Sequence, residues 1–204
     1  MVLVNGLEIV PDNSVLCIEE HEGNIKSIYG INVASEKARA GIPVNYLTIQ
    51  TKEEVLKKMT QLRIPHSDLL HIIEVQLASA KHEVLALINQ PGAPFMIIDQ
   101  FAVFFAEDSF SDLRHLLSRL ITISRKGTTF LILLDCGVLP ERHEHLVRAM
   151  ADGIIQFVVV PEGDKLKNYI NIPKMRGTMP QDKMLPFTVT AGEGLLVDTR
   201  ERHG

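Results

Sequence analysis

"SVLCIEEHEGNIKS", residues 14–27, decides how the rest of the chain is read. An apolar strand, "SVLCI", runs into a short polar turn and then a helix over about 26–40, which Gly41 and Pro43 terminate. Strand, turn and a helix opening with Lys-Ser is the layout of a phosphate loop, G-x-x-x-x-G-K-[ST]. Such a loop works because its backbone N–H groups turn inward around phosphate oxygens. The helix N-terminus and the Lys add positive charge, and the hydroxyl holds magnesium. Lys26 and Ser27 match, Gly23 fills the optional middle glycine, and Asn24 lies between Gly23 and the helix. Those four are the candidate nucleotide contacts. The two obligatory glycines are absent: Glu20 stands at the first and Ile25 at the one before Lys26. A β-branched residue suits poorly a position chosen for backbone freedom. Glu19, Glu20 and Glu22 would repel an anion, by about 1 kcal/mol per close pair even in high dielectric. The stretch reads either as a nucleotide site or as a helix start whose solvated acids the helix dipole favours.

Outward from this loop, strand-length apolar runs alternate with helical patterns. "PVNYLTI" (43–49) precedes "TKEEVLKKMTQL", where Thr51 and Glu54 spell a capping box. "LLHIIEV" (69–75) is a strand, and "KHEVLALINQ" a short helix closed by Pro91-Gly92. "PFMIID" (94–99) is a buried strand ending in Asp99. That acid would hold magnesium together with Ser27 in an ATPase, or else cap a turn. A helix over 111–126 carries Leu113, Leu116, Leu117, Leu120 and Ile121 on one stripe, with Ser111 as its cap. "TTFLILLD" (128–135) and "GIIQFVVV" (153–160) are strands around a helical "PERHEHLVRAMAD". After Pro161, "KLKNYINIPKMRG" and "PFTVTAGEGLLVD" alternate polar and apolar residues as hairpin strands do. The pattern predicts an α/β fold: a mainly parallel central sheet flanked by helices, with C-terminal antiparallel hairpin strands, in a single domain over 1–204.

Composition narrows the function classes. A net charge of -4 argues against generic affinity for nucleic acid, and the Phe-rich "QFAVFFAEDSF" lacks the interleaved Lys or Arg of a base-stacking surface. Phe101 and Phe104 read as core, Phe105 as core or interface. No apolar run reaches membrane-span length, and "MVLVNGLEIVPDNS" lacks signal-peptide features, so a cytoplasmic location is expected. Cys17 and Cys136 then read as reduced core thiols. His21, His143 and His145 are expected on the surface; two positions apart on a helix, the latter pair diverge and do not share a metal.

The C-terminal "PKMRGTMPQDKMLPFTVTAGEGLLV" resembles the ending of KaiC-like ATPases of the RecA superfamily, where K-x-R-G precedes a "PF-x-I/V-T-x-G-G-I" hairpin. "LRHLLSRLITISRKGTTFLILLD", "MADGIIQF" and "ASEKARAGIPVNYLTIQTKEEVLKKM" resemble further stretches of that family, and the archaellum ATPase (FlaH-type) group is the nearest in pattern. The likeness spans about 14–197 and implies a RecA-like P-loop NTPase fold, with ATP or ADP and magnesium as ligands. It also implies a role for Lys174 and Arg176: in related rings that pair reaches a neighbour's nucleotide phosphates, which a planar guanidinium grips bidentately. A homo-oligomer, or a ring with a related active subunit, is the assembly so implied. In catalytic relatives a glutamate after the second strand polarises water; here that position falls at Gln50 and Thr51. Gln can orient water but accepts no proton near neutral pH. Glu53 and Glu54 fall in the next helix. The expectation is a non-catalytic or weakly nucleotide-binding pseudo-ATPase acting as a regulatory or structural subunit. The alternatives are a functional ATPase with a deviant loop and a recombinase-like DNA-binding paralogue.

Overall fold

A computed structural model describes residues 3–4, 7–8, 10–90, 93–177, 183–190 and 194–197. A small antiparallel pair, β1 (Leu3–Val4) and β2 (Leu7–Glu8), precedes the main sheet. There follow β3 (Val15–Glu20), α1 (Ile25–Arg39), β4 (Val44–Thr48), α2 (Lys52–Gln61) and β5 (Leu70–Glu74). Next come α3 (Ala80–Asn89), β6 (Phe95–Ile98), α4 (Phe101–Phe104), α5 (Phe110–Ser124), β7 (Thr129–Asp135) and α6 (Glu141–Met150). The chain ends with β8 (Gly153–Glu162), β9 (Lys165–Met175), β10 (Leu185–Thr190) and β11 (Gly194–Val197).

The main sheet has the order β11-β10-β9-β8-β3-β7-β6-β4-β5. The six strands from β8 to β5 pair in parallel, and β9, β10 and β11 add on antiparallel. Apolar residues alternate between two cores because side chains on a strand point to opposite faces. On β3, Leu16 and Ile18 enter one cluster with Tyr29 and Val33 of α1 and Val55 and Met59 of α2. Val15 and Cys17 enter the other, with Val84 of α3 and Leu113, Leu117 and Leu120 of α5. A sheet covered on both faces explains why these strands read as unbroken apolar runs.

Most local expectations hold. Thr51 and Glu54 form the capping box, and Gly41 takes a positive φ of 86° just past α1. Phe101, Phe104 and Phe105 are all core. Ser111 does not cap α5; Ser109 does, accepting the Asp112 N–H at 3.2 Å. Two hydroxyls stood near that start, and the one three residues before an acidic N3 position closes the geometry. The Pro91-Gly92 stop and positions 178–182 of the K-x-R-G hairpin stretch lie outside the described residues.

At the N-terminal end of the strands, one carboxylate joins three segments. Asp152, in the bend before β8, accepts the Val15 N–H at 2.9 Å and two bonds from Arg125 at 2.8 and 3.2 Å. Arg176 adds another at 3.2 Å. Burial opposes ionisation of Asp152, but these donors win and hold its carboxyl below the usual range. A depressed acid stabilises the fold above its unfolded pKa, and the contribution fades as pH falls through the folded one. Asp152→Ala is expected to cost about 1–3 kcal/mol at neutral pH, the partly exposed arginines contributing less than the backbone bond. Denaturant melts across an acid series should show the gap to wild type closing as pH drops.

Candidate functional site

Adjacent strands place two acids side by side at the carboxyl end of the sheet, where ligands of open α/β sheets bind. Glu20, the last residue of β3, is in register with Asp135, the last of β7. The turn after Glu20 brings the chain back so that α1 begins over both acids. Asn24 holds the N-cap position but its side chain makes no cap bond, and the first turn of α1 contains no acid. Glu20 does that work from the preceding strand. Its Oε2 accepts the Lys26 N–H at 3.1 Å, and the Ile25 N–H also favours its charged form. A buried carboxylate on the free N–H groups of a helix start is well matched in charge and bonding. Burial raises the pKa of Glu20 all the same; the bonds from Lys26 and Ile25 and the Lys26 ammonium oppose this.

Gly23 has a φ of 131°, and a Cβ there would lie 2.5 Å from Glu20 Oε1. The glycine is required by the closeness of that carboxylate as well as by the turn. Ile25 is an ordinary helical residue, not one of the positive-φ positions. The β-branched side chain therefore meets no backbone strain, contrary to its expected misfit.

Lys26 is 3% exposed. Its Nζ lies 2.5 Å from Asp135 Oδ1 and 3.9 Å from Glu20 Oε2. Next to it, Ser27 Oγ donates to Asp99 Oδ1 at 3.0 Å. Asp99 is fully buried just beyond β6, taking the Tyr46 hydroxyl on Oδ2 at 2.8 Å and the Gln100 N–H on Oδ1 at 3.0 Å. Burial drives the Asp99 pKa up, against the opposing bonds from Tyr46 and Ser27 and the charges of Lys26 and Lys58. Lys58, on α2, is half-buried; burial lowers its pKa, while Asp99 and Glu20 pull it up and Lys26 adds to the lowering.

Gln100 adopts a left-handed φ of 59°, and its Oε1 accepts from Thr48 Oγ1 at 3.2 Å and the Ile49 N–H at 3.1 Å. This pins the loop after β4, where the Gln50 N–H donates to Thr48 Oγ1 at 3.2 Å. Glu54 is committed to the capping box and Glu53 is exposed on α2.

Several sequence expectations change here. Glu19 and Glu20 are not solvated: both are buried, on opposite faces of β3. Glu19 takes Arg148 Nε at 2.6 Å and Gln156 Nε2 at 2.9 Å. The alternation of a strand turns one acid to the loop and its neighbour to α6. His143 is buried as well, packed edge-on to Phe110 at 5.7 Å, while His145 is exposed. Cys17 is buried and Cys136 half-buried, both free; burial, with Glu19 and Glu144, pushes the Cys136 thiol up to about 11. Lys174 and Arg176 lie at the other end of the sheet from this chain's own loop. Lys174 Nζ donates to the Arg148 and Ala149 carbonyls at 3.1 and 2.9 Å, and Arg176 grips Asp152 and the Asn13 carbonyl. Asp135, Tyr46 and Lys58 were missed. Asp135 carried the same signal as Asp99, an apolar strand ending in an acid; Tyr46 and Lys58 carried none apart from topology.

The site thus has two halves. The Ser27–Asp99 half offers a hydroxyl and a carboxylate suited to a divalent cation. The loop half does not fit a phosphate as it stands, because the Lys26 and Ile25 N–H groups and the Lys26 ammonium are taken by Glu20 and Asp135. Among the described residues, no group of three or more His, Cys, Asp or Glu is arranged to hold a metal ion by itself.

Because Asp99 has a raised pKa, its ionised form costs stability at neutral pH, and that cost disappears as pH falls below the folded pKa. Asp99→Asn, which can keep partners for Tyr46 and Ser27, should therefore stabilise the protein by roughly 0.5–2 kcal/mol at neutral pH. Calorimetric melting at neutral and acid pH checks both the gain and its loss on acidification.

Comparison with known proteins agrees with this architecture. The flagellar accessory protein FlaH from Methanocaldococcus jannaschii superposes with a TM-score of 0.77 at 22% identity, covering 93% of this chain and 91% of that one. The KaiC-like protein PH0186 from Pyrococcus horikoshii OT3 superposes with a TM-score of 0.74 at 18% identity, covering 92% and 90%. Curated protein sequences give no significant match. A family model described as "ATPase: KaiC" matches residues 8–202. With strand order, loop position and this match in agreement, the chain belongs to the KaiC ATPase family, with the RecA-like fold of FlaH and its KaiC-like relatives.

Proposed function

We propose that this protein is a pseudo-ATPase of the KaiC family: a non-catalytic, at most weakly nucleotide-binding member of an oligomer, with a regulatory or structural role. The observation that carries this is the clamp on Lys26, whose ammonium sits on Asp135 at 2.5 Å with Glu20 close by. A loop lysine neutralised inside its own chain has no net charge to offer a polyphosphate. Gln50 supports the same reading, since an amide at the place of the family's base takes no proton from water. Lys174 and Arg176 are the residues proposed to face a neighbour's nucleotide in a homo-oligomer or mixed ring. To do so they must exchange Asp152 and backbone carbonyls for phosphate oxygens.

A second reading has one observation in its favour. Ser27 and Asp99 stand together as a hydroxyl and a carboxylate, and those two residues would hold a magnesium ion arriving with ATP or ADP. In that reading Gly23, Asn24, Lys26 and Ser27 contact the phosphates of a functional, deviant site.

Steady-state phosphate release and calorimetric titration with Mg-ATP and Mg-ADP, on wild type and Lys26→Ala, decide between the two. Light scattering on the same samples gives the subunit count. The expected outcome is no turnover above background, dissociation constants weaker than about 100 μM (less than roughly 5.5 kcal/mol of binding), and an oligomer in solution. Turnover that vanishes in Lys26→Ala would refute the proposal.

A further inference from the structure

The loop half of the site contains its own anion. The Glu20 carboxylate is held by the Lys26 and Ile25 N–H groups, stands near the Lys26 ammonium, and lies beside a glycine with a φ of 131°. These are the kinds of partner a phosphate loop offers a phosphate: inward N–H groups, a helix N-terminus and a lysine. Two further features of the turn are compatible with that use. Ile25 has an ordinary helical backbone, and Ser27 stays paired to Asp99. The departures from a working loop gather on two acids, Glu20 on the loop's N–H groups and Asp135 on its ammonium.

We infer that Glu20 is the resident anion of this loop, an intrachain stand-in for a phosphate group that keeps the cradle ordered and closed to external oxyanions. The inference rests on the pseudo-ATPase reading and names what holds that site shut. One set of N–H groups cannot serve two anions, so an entering phosphate must expel a buried carboxylate. It would also approach the like charge of Asp135, whose Oδ2 is buried without a hydrogen-bond partner among the described residues. The arrangement further accounts for glycine at 23, because a Cβ there would collide with Glu20 Oε1.

The test uses full-length wild type, Glu20→Gly, Glu20→Gln and the double variant Glu20→Gly with Lys26→Ala, titrated calorimetrically with inorganic pyrophosphate and with Mg-ATP. Circular dichroism verifies folding, and thermal melts are run with and without pyrophosphate. Glu20→Gly should bind at least tenfold more tightly than wild type, about 1.4 kcal/mol. It should lose that gain with Lys26→Ala. Pyrophosphate should raise its melting temperature but leave wild type unmoved. Glu20→Gln keeps the volume and removes the charge; it should also gain affinity, and it carries the test if the glycine variant does not fold. Folded Glu20 variants that bind no better than wild type would overturn the inference, as would a gain that survives Lys26→Ala. Failure of the underlying reading looks different. A Glu20→Gly protein that binds and then hydrolyses ATP briskly would leave Glu20 as the resident anion and refute the missing base. A wild type that binds tightly, without improvement in the variants, would refute Glu20's role and leave turnover to judge the rest.

Discussion

Lys26 between Glu20 and Asp135 is the constraint from which the rest of the site follows. Parallel pairing of β3 with β7 sets the two acids in register at the end of the sheet. Two carboxylates at that spacing repel each other unless a cation lies between them. The ammonium pairs with Asp135, stands near Glu20 and is buried in doing so, which fixes where the first turn of α1 must begin. With Lys26 placed, its own N–H points at Glu20 and the next residue, Ser27, is delivered to Asp99. A register shift of one residue between β3 and β7 would turn the acids to opposite faces and dissolve the arrangement.

The fold was largely readable from the chain because its information is periodic. Runs such as "TFLILLD" can only be strands buried on both sides, and the stripe Leu113, Leu116, Leu117, Leu120 can only face a core. The site was half readable. Lys26, Ser27 and Asp99 came from spacing, and the structure brings them together. What spacing could not give was burial. Glu19 and Glu20 look like surface acids in sequence, since carboxylates are almost never buried unless paired. Their partners, Arg148 and the loop N–H groups, arrive from 129 and 6 positions away. His143 went wrong for a related reason. It lies on a polar-looking helix whose inner face is set by contact with Phe110, and no local pattern encodes that contact.

The two neighbouring acids of β3 also divide the structure's labour. Glu19 faces α6, where Arg148 joins it to Glu144 and the Glu144 carboxylate in turn accepts the Gly137 N–H at 2.6 Å. That chain of bonds ties the turn after β7 to the β3 end without touching the loop. Glu20 faces α1, where it meets the Lys26 and Ile25 N–H groups and also acts on Lys58 of α2 and Asp135 of β7. A substitution at position 20 therefore bears first on the cradle, whereas one at position 19 loosens the packing of α6 against the sheet.

The same separation bears on the two halves of the site. The cradle and the Ser27–Asp99 pair meet at the peptide between Lys26 and Ser27 and feel the charges of Lys26 and Lys58 in common, yet they are kept in opposite conditions. The cradle's charges are paired within the chain, and its Lys26 and Ile25 N–H groups are satisfied by Glu20. The Asp99 half holds a fully buried carboxylate whose ionisation burial resists, with three donors but no cation bonded directly to it. A side chain selected for stability alone would be apolar or an amide there, since an imperfectly compensated buried charge is a net cost. Asp99 also organises its surroundings: Tyr46 from β4, Ser27 from α1 and the Gln100 backbone all converge on its two oxygens. Gln100 in turn reaches back to hold the Thr48–Ile49 turn. Asp99 is the knot between α1, β4 and β6. An amide could keep these partners at lower cost, so organisation alone does not account for a carboxylate beside the Ser27 hydroxyl, a pair that would suit a divalent cation. That geometry by itself does not argue for catalysis. The Lys26 and Ile25 N–H groups, by contrast, already hold an anion of the chain's own, so the occupant of the cradle is the feature that speaks to function.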